Sequence, residues 1–158
     1  MSDRLTIELQ DAELLRRLAD AQRQLADPSE LLDAIGALLE GNTAMRLDDF
    51  KADPAGNPWA PIKPATERAL RRKNSGSIPG SLLIRAAQGM RAGLTHNLVG
   101  DDAVEIGFDK PYAIYHEFGT RRMPRRGLLT ANPETGELGA EDREDVLDLV
   151  NRFLEDLL

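Results

Sequence analysis

A chain of 158 residues with 41% hydrophobic side chains suits one domain with its own core, but 4% aromatic content leaves that core mostly to Leu, Ala, Ile and Val. The absence of cysteine excludes a disulfide framework and a thiolate metal site, and fits a cytoplasmic setting. No apolar run approaches the roughly 20 residues of a membrane span, and the first residues form no apolar signal region, so a non-membrane, unexported chain is expected.

The net charge of −7 is unevenly distributed. Residues 1–59 carry 6 basic and 12 acidic groups, residues 60–130 carry 12 and 6, and residues 131–158 carry 2 and 9, so the middle is net +6 and the C-terminal piece −7. An acidic end can therefore meet a basic middle, within one chain or between copies, although most such charges singly serve as solvated faces.

Residues 3–9 alternate with apolar Leu5, Ile7 and Leu9, which predicts a strand, and Asp11 then caps a helix with Leu14, Leu18, Ala21 and Leu25 on one face. Asp27 as N-cap, Pro28 as first helical residue and Glu30 as capping-box partner begin a second helix. Its stripe of Leu31, Ile35 and Leu38 continues through Met45 toward Phe50 despite Gly41, and the two helices are expected to pack antiparallel. The four prolines between Ala52 and Pro64 make an ordered arm around Trp59, whose ring is expected to bury. A short basic helix follows from Pro64, and Asn74–Ser81 has the composition of a flexible loop. The basic run Arg71-Arg72-Lys73 beside glycine lacks the spacing of a phosphate-binding loop.

Residues 82–92 read as a helix, and the next two segments as a hairpin. Leu94, His96 and Leu98 alternate with polar neighbours, Gly100-Asp101-Asp102 turn the chain, and Val104, Ile106 and Phe108 alternate in return. His96 then sits near the apolar face as a hydrogen-bonded structural residue. The final helix, about 140–157, places Val146, Leu149, Val150, Phe153, Leu154 and Leu157 on one stripe among many acids, and that stripe requires a partner surface on its own domain or on a neighbour.

Between these lies the most unevenly composed stretch, Asp109–Arg126, with both tyrosines, His116, Phe118 and four arginines in six residues. Pro111 suits a first helical turn and Gly119 a helix stop, so residues 111–118 are predicted helical, with Tyr112 above Tyr115 and His116, and Tyr115 above Phe118. Tyr112, Ile114, Tyr115 and Phe118 are expected to bury on their own sheet. The arm Thr120–Leu129 is expected either to work between subunits or to be a solvated loop; in the first case Arg121, Arg122, Arg125 and Arg126 pair with a neighbour's acids while Met123, Pro124 and Leu128 fill and shape the contact. Val146, Leu149 and Phe153 of the last helix are the expected counterpart.

His116-Glu117 opens a zinc-hydrolase pattern, but Thr120 occupies the place of the second histidine, and no nucleophile with an orienting third group is evident. No catalytic, cofactor-binding or metal residue is expected, and Trp59, Tyr112, Tyr115, His116, Glu117, Phe118 and Gly119 are read as structural. Two non-catalytic readings remain: an assembly protein joining copies of itself through heterologous contacts, or a nucleic-acid-binding module using basic residues 68–73 and 121–126.

The order of a strand, Gly107, Tyr112-Ala113, His116-Glu117-Phe118-Gly119 and Met123-Pro124 resembles the phage virion morphogenesis proteins, the tail-completion family of contractile- and Mu-like-tailed phages. Trp59-Ala60-Pro61 before a basic helix, and the acidic C-terminal helix, extend the likeness over about residues 28–158. Members usually follow Met-Pro with a small residue, Arg, Pro and Phe; this chain has Arg125, Arg126, Gly127 and Leu128, so Arg126 is the matching residue. The resemblance implies an α+β fold, helices on a small antiparallel sheet with a central hairpin and a C-terminal amphipathic helix. With the length and residue patterns above, a single domain over residues 1–158 is expected, its parts being residues 1–50, a strand and helical hairpin; 51–130, the core with the Trp59 arm and the motif; and 131–158, the acidic helix. The resemblance also implies a virion protein at the tail–neck junction, made in the host cytoplasm, that completes the tail tube as a six-fold ring of itself. Its partners would then be tail-tube and neck proteins, with weak contact to DNA and none to membranes.

Overall fold

The computed structural model describes residues 25–73, 75–76 and 89–157, preceded by Arg16, Ala19, Asp20, Gln22 and Arg23. The strand expected at 3–9, the Leu14, Leu18 and Ala21 positions of the first helix, most of the loop Asn74–Ser81 and residues 82–88 of the next expected helix lie outside the described residues. The described positions from 16 to 26 are all helical.

The helix α1, Ser29–Met45, starts one residue later than expected. The Asp27 carboxylate accepts the Ser29 N–H at 3.1 Å, and hydrogen bonding from the Ser29 side chain, with this backbone bond second, holds its pKa below the usual carboxylate value, while Leu32 N–H donates to the Pro28 carbonyl at 2.9 Å. As the apolar pattern predicted, the helix runs on past Gly41. It continues as a π-helical turn over Arg46–Phe50, closed by the Lys51 N–H on the Arg46 carbonyl at 2.9 Å. Helix α2, Pro64–Lys73, has no buried residue. A 3₁₀ turn, Met90–Gly93, leads into β1, Leu94–Val99, which pairs antiparallel with β2, Ala103–Phe108. The register sets Leu94 opposite Phe108, His96 opposite Ile106 and Leu98 opposite Val104, so the two apolar sets share one face, as period-2 alternation requires. Two further helices complete the described chain: the short α3, Ala113–Phe118, and the longer α4, Ala140–Asp156. The architecture is α+β, helices against a two-stranded antiparallel hairpin. No described helix is long and apolar enough to cross a membrane.

The helix α1 meets the hairpin at Gly36, where a Cβ would lie 2.5 Å from His96 Cδ2 and 2.8 Å from Val104 Cγ2. Only glycine lets the helix lie so close. Asp33 and Glu40 flank that glycine on the same helical face. They grip the imidazole from both ends, Glu40 Oε2 at 2.5 Å from Nδ1 and Asp33 Oδ1 at 3.3 Å from Nε2, so His96 is the structural histidine the alternation implied. The Glu40 hydrogen bond, with help from Asp33 and against some burial, raises its pKa above the ordinary 6.5.

The last helix is held to the first by a buried ion pair. Arg46 donates to both carboxylate oxygens of Asp142, at 2.8 and 2.9 Å, and Asn42 links Asp142 to Asp145 at 3.1 and 2.8 Å. Among the described residues the principal core cluster is Leu47, Trp59, Met90 and Leu128, with Phe108, Ala113 and Leu129 packed against it. Trp59 is buried as expected, and it brings the proline-rich arm onto the end of α1.

Removing one partner of a buried pair leaves the other charge uncompensated, so Asp142→Ala should cost about 3–5 kcal/mol in denaturant unfolding. His96 should show the opposite pH behaviour to a carboxylate. Its raised pKa means that the folded state favours the imidazolium, so the stabilisation is full below about pH 6.5 and fades as pH rises through the folded value. The melting-temperature gap between the native chain and His96→Asn should therefore narrow from pH 6 to pH 9.

Candidate functional site

The strand β2 delivers the chain to the motif, with Asp109 N–H on the Gly93 carbonyl at 2.9 Å extending the ladder by one bond. A turn at Lys110–Ala113 then starts α3, two residues later than the proline suggested. Gly119 ends the helix at φ 74°, and a Cβ there would lie 2.9 Å from the Arg125 backbone nitrogen. Both the dihedral and the close approach demand glycine.

The one buried residue of α3 is Glu117. Its carboxylate accepts the backbone N–H groups of Leu128, Leu129 and Thr130 at 2.6, 3.0 and 3.1 Å, together with the Thr130 hydroxyl. Three successive amides thus converge on one anion. Arg125 closes the arrangement, donating to the Glu117 carbonyl at 2.8 Å and the Thr130 carbonyl at 2.6 Å, with Asp53 at 3.3 Å and the Glu117 carboxylate at 3.5 Å. Arg126 is buried, its backbone N–H on the His116 carbonyl at 2.9 Å and its guanidinium on the carbonyls of Ala60 and Pro61 at 2.9 and 3.2 Å. Trp59 Nε1 donates to the Gly127 carbonyl at 3.1 Å. The motif, the Trp59 arm and residues 125–130 form one hydrogen-bonded body.

This geometry overturns the expected burial of the aromatic helix. With Ala113, His116 and Glu117 turned inward, the helical period sends Ile114, Tyr115 and Phe118 outward. Tyr112, Ile114, Tyr115 and Phe118 are 41%, 56%, 56% and 55% exposed. Beside them lies a shallow apolar pocket of about 180 Å³, walled by Phe108, Leu128 and Leu129. His116 packs edge-on to Tyr112 with ring centroids 6.5 Å apart, and burial, aided by the Arg126 charge, lowers its pKa.

The arm also divides differently from the expectation that all four arginines serve a neighbouring subunit or stand in a solvated loop. Arg125, Arg126 and Leu128 are engaged within their own chain, the two guanidinium groups on the carbonyls of Glu117 and Thr130 nearby and of Ala60 and Pro61 from a distant segment. Arg121 and Arg122 stay exposed at the tip of a tight turn closed by Thr120 and Met123, whose backbones exchange hydrogen bonds at 2.8 and 3.2 Å. Met123 is half-buried and Pro124 exposed. On α4, Val146, Leu149 and Phe153 share a face with buried Asp142 and are partly buried, whereas Leu147 and Leu154 are exposed at 46% and 38%. The pattern reading of α4 placed Leu154 on the inner stripe and passed over Leu147. Among the described residues no three His, Cys, Asp or Glu side chains could hold a metal ion.

Two substitutions separate the inward and outward sides of α3. Glu117→Gln should destabilise by roughly 1–3 kcal/mol for each amide left unpaired. Tyr115→Ala should change stability by no more than about 0.5 kcal/mol, as exposed positions do. Denaturant melts of the two variants measure both.

The model of the phage virion morphogenesis family matches residues 9–155. No curated protein and no solved structure gives a match. A family match over nearly the whole chain agrees with the motif at its structural centre, and the protein belongs to the phage virion morphogenesis family.

Proposed function

We propose that the protein completes or terminates the tail tube of a phage and helps connect it to the neck, working without catalysis as a ring of copies of itself. The carrying observation is the outward face of α3: Ile114, Tyr115 and Phe118, with Tyr112 just before the helix, stand exposed on a helix fixed from behind by Glu117 and Arg125. Exposed apolar surface on a rigid support is what an assembly contact requires. The division into a basic middle and an acidic end supplies complementary surfaces for neighbouring copies. The resemblance supports six-fold symmetry, tail-tube and neck proteins as partners, and a place in the virion at the tail–neck junction after assembly in the host cytoplasm.

A second reading rests on α2. Arg68, Arg71, Arg72 and Lys73 lie exposed on a helix with no buried residue, and Lys63 just before it donates to the Arg122 carbonyl at 3.4 Å, bringing the arm tip alongside. That basic surface suits weak contact with DNA backbone in the same setting. Its signature is a steep loss of affinity between low and moderate salt.

The test replaces Ile114 and Phe118 by serine in the full chain. The variant should melt close to the native protein yet fail to complete tails when it is supplied in place of the native protein. Normal tail yield from a correctly folded variant would overturn the reading.

A further inference from the structure

The outward face of α3 needs an occupant, and the same chain carries a surface of matching chemistry elsewhere. We propose that the exposed ridge of α4 from a second copy docks on Ile114, Tyr115 and Phe118; this rests on the ring reading above and specifies its contact. Leu147 and Leu154 lie seven residues apart, two helical turns along one side, and are the large apolar residues α4 leaves exposed at 46% and 38%. At the helical period Glu144, Asp148 and Glu155 form an acidic row along one edge of that leucine stripe, and all three are exposed.

The receiving side has the complementary plan. Ile114, Tyr115 and Phe118 form the apolar patch, the pocket walled by Phe108, Leu128 and Leu129 adjoins it, and Arg121 and Arg122 stand exposed on the turn that follows. A leucine ridge flanked by carboxylates thus meets an aromatic face flanked by guanidinium groups, which sets orientation as well as affinity. Among the described residues both surfaces are exposed: the inner face of α4 is turned toward α1 through the Arg46–Asp142 pair, and the inner face of α3 is turned toward the Glu117 anchor. Because donor and acceptor surfaces differ, each copy keeps one of each free after every contact. Such a heterologous contact propagates until rotation closes it into a ring.

The absence of cysteine makes the contact directly testable by cross-linking. Full-length chains carrying Ile114→Cys or Phe118→Cys are mixed with differently sized chains carrying Leu147→Cys or Leu154→Cys, oxidised, and run without reductant. The expected result is a mixed disulfide dimer for at least one pairing, well above a control with Arg152→Cys on another side of α4. In addition, Arg121→Glu with Arg122→Glu should weaken self-association by about tenfold or more, and Glu144→Arg with Asp148→Arg should restore it. Light scattering that shows oligomers while no pairing exceeds the control would overturn this contact and leave the ring reading standing. Self-pairing of Phe118→Cys chains alone would also overturn it, in favour of a two-fold contact between aromatic faces. A chain that stays monomeric at every concentration would overturn the ring reading and this contact together.

Discussion

A carboxylate enclosed by backbone amides decides how this molecule presents itself. Glu117 lies on a helix of only six residues, and its acceptors satisfy three consecutive N–H groups of a segment that belongs to neither helix nor strand. Those amides would otherwise be buried or half-buried without partners, a cost of the order of 1–3 kcal/mol each. The anion in turn needs them, since a buried carboxylate without donors would be expelled or neutralised. Each requirement fulfils the other, and the rotation of α3 follows from it.

The consequence passes outward through the helical period. Once residues 113, 116 and 117 point in, residues 114, 115 and 118 point out, whatever their hydrophobicity. Phage assembly proteins need surface that is apolar yet held in one shape, and here polar bonds help to hold it. Among the described residues, beside the apolar cluster of Leu47, Trp59, Met90 and Leu128, the Arg46–Asp142 pair, the His96 bridge and the arginine–carbonyl bonds join segments far apart in the chain. Such groups fix a geometry more sharply than apolar contact alone, because each must find its partner or be left unpaired.

Much of the fold could be read in the amino-acid order. The hairpin was legible because Leu94, His96 and Leu98 alternate against Val104, Ile106 and Phe108 at the strand period, and the last helix because its apolar residues recur at the helical one. Trp59 was legible as the anchor of a proline-rich arm. The orientation of α3 was not, because hydrophobicity alone turns large apolar side chains inward, whereas the amide groups that follow decide which side of this helix is buried. Side-chain patterns do not show what backbone donors require. Arg125 and Arg126 read as a charged run because residue order does not show their acceptors, the carbonyls of residues 117 and 130 for the first and of residues 60 and 61 for the second. Arg46 and Asp142 stand 96 positions apart and leave no local trace of their pairing.

The central claim is that the Glu117 carboxylate fixes the motif and thereby presents the aromatic face. Amide hydrogen exchange at Leu128, Leu129 and Thr130 tests it most directly. These residues lie in irregular chain, where exchange near the rate of an open loop is the ordinary outcome, yet the account predicts protection comparable to that of the β1–β2 hairpin, lost together at all three positions in Glu117→Gln. Rapid exchange at these amides in the native protein, or protection unchanged by the substitution, would contradict it.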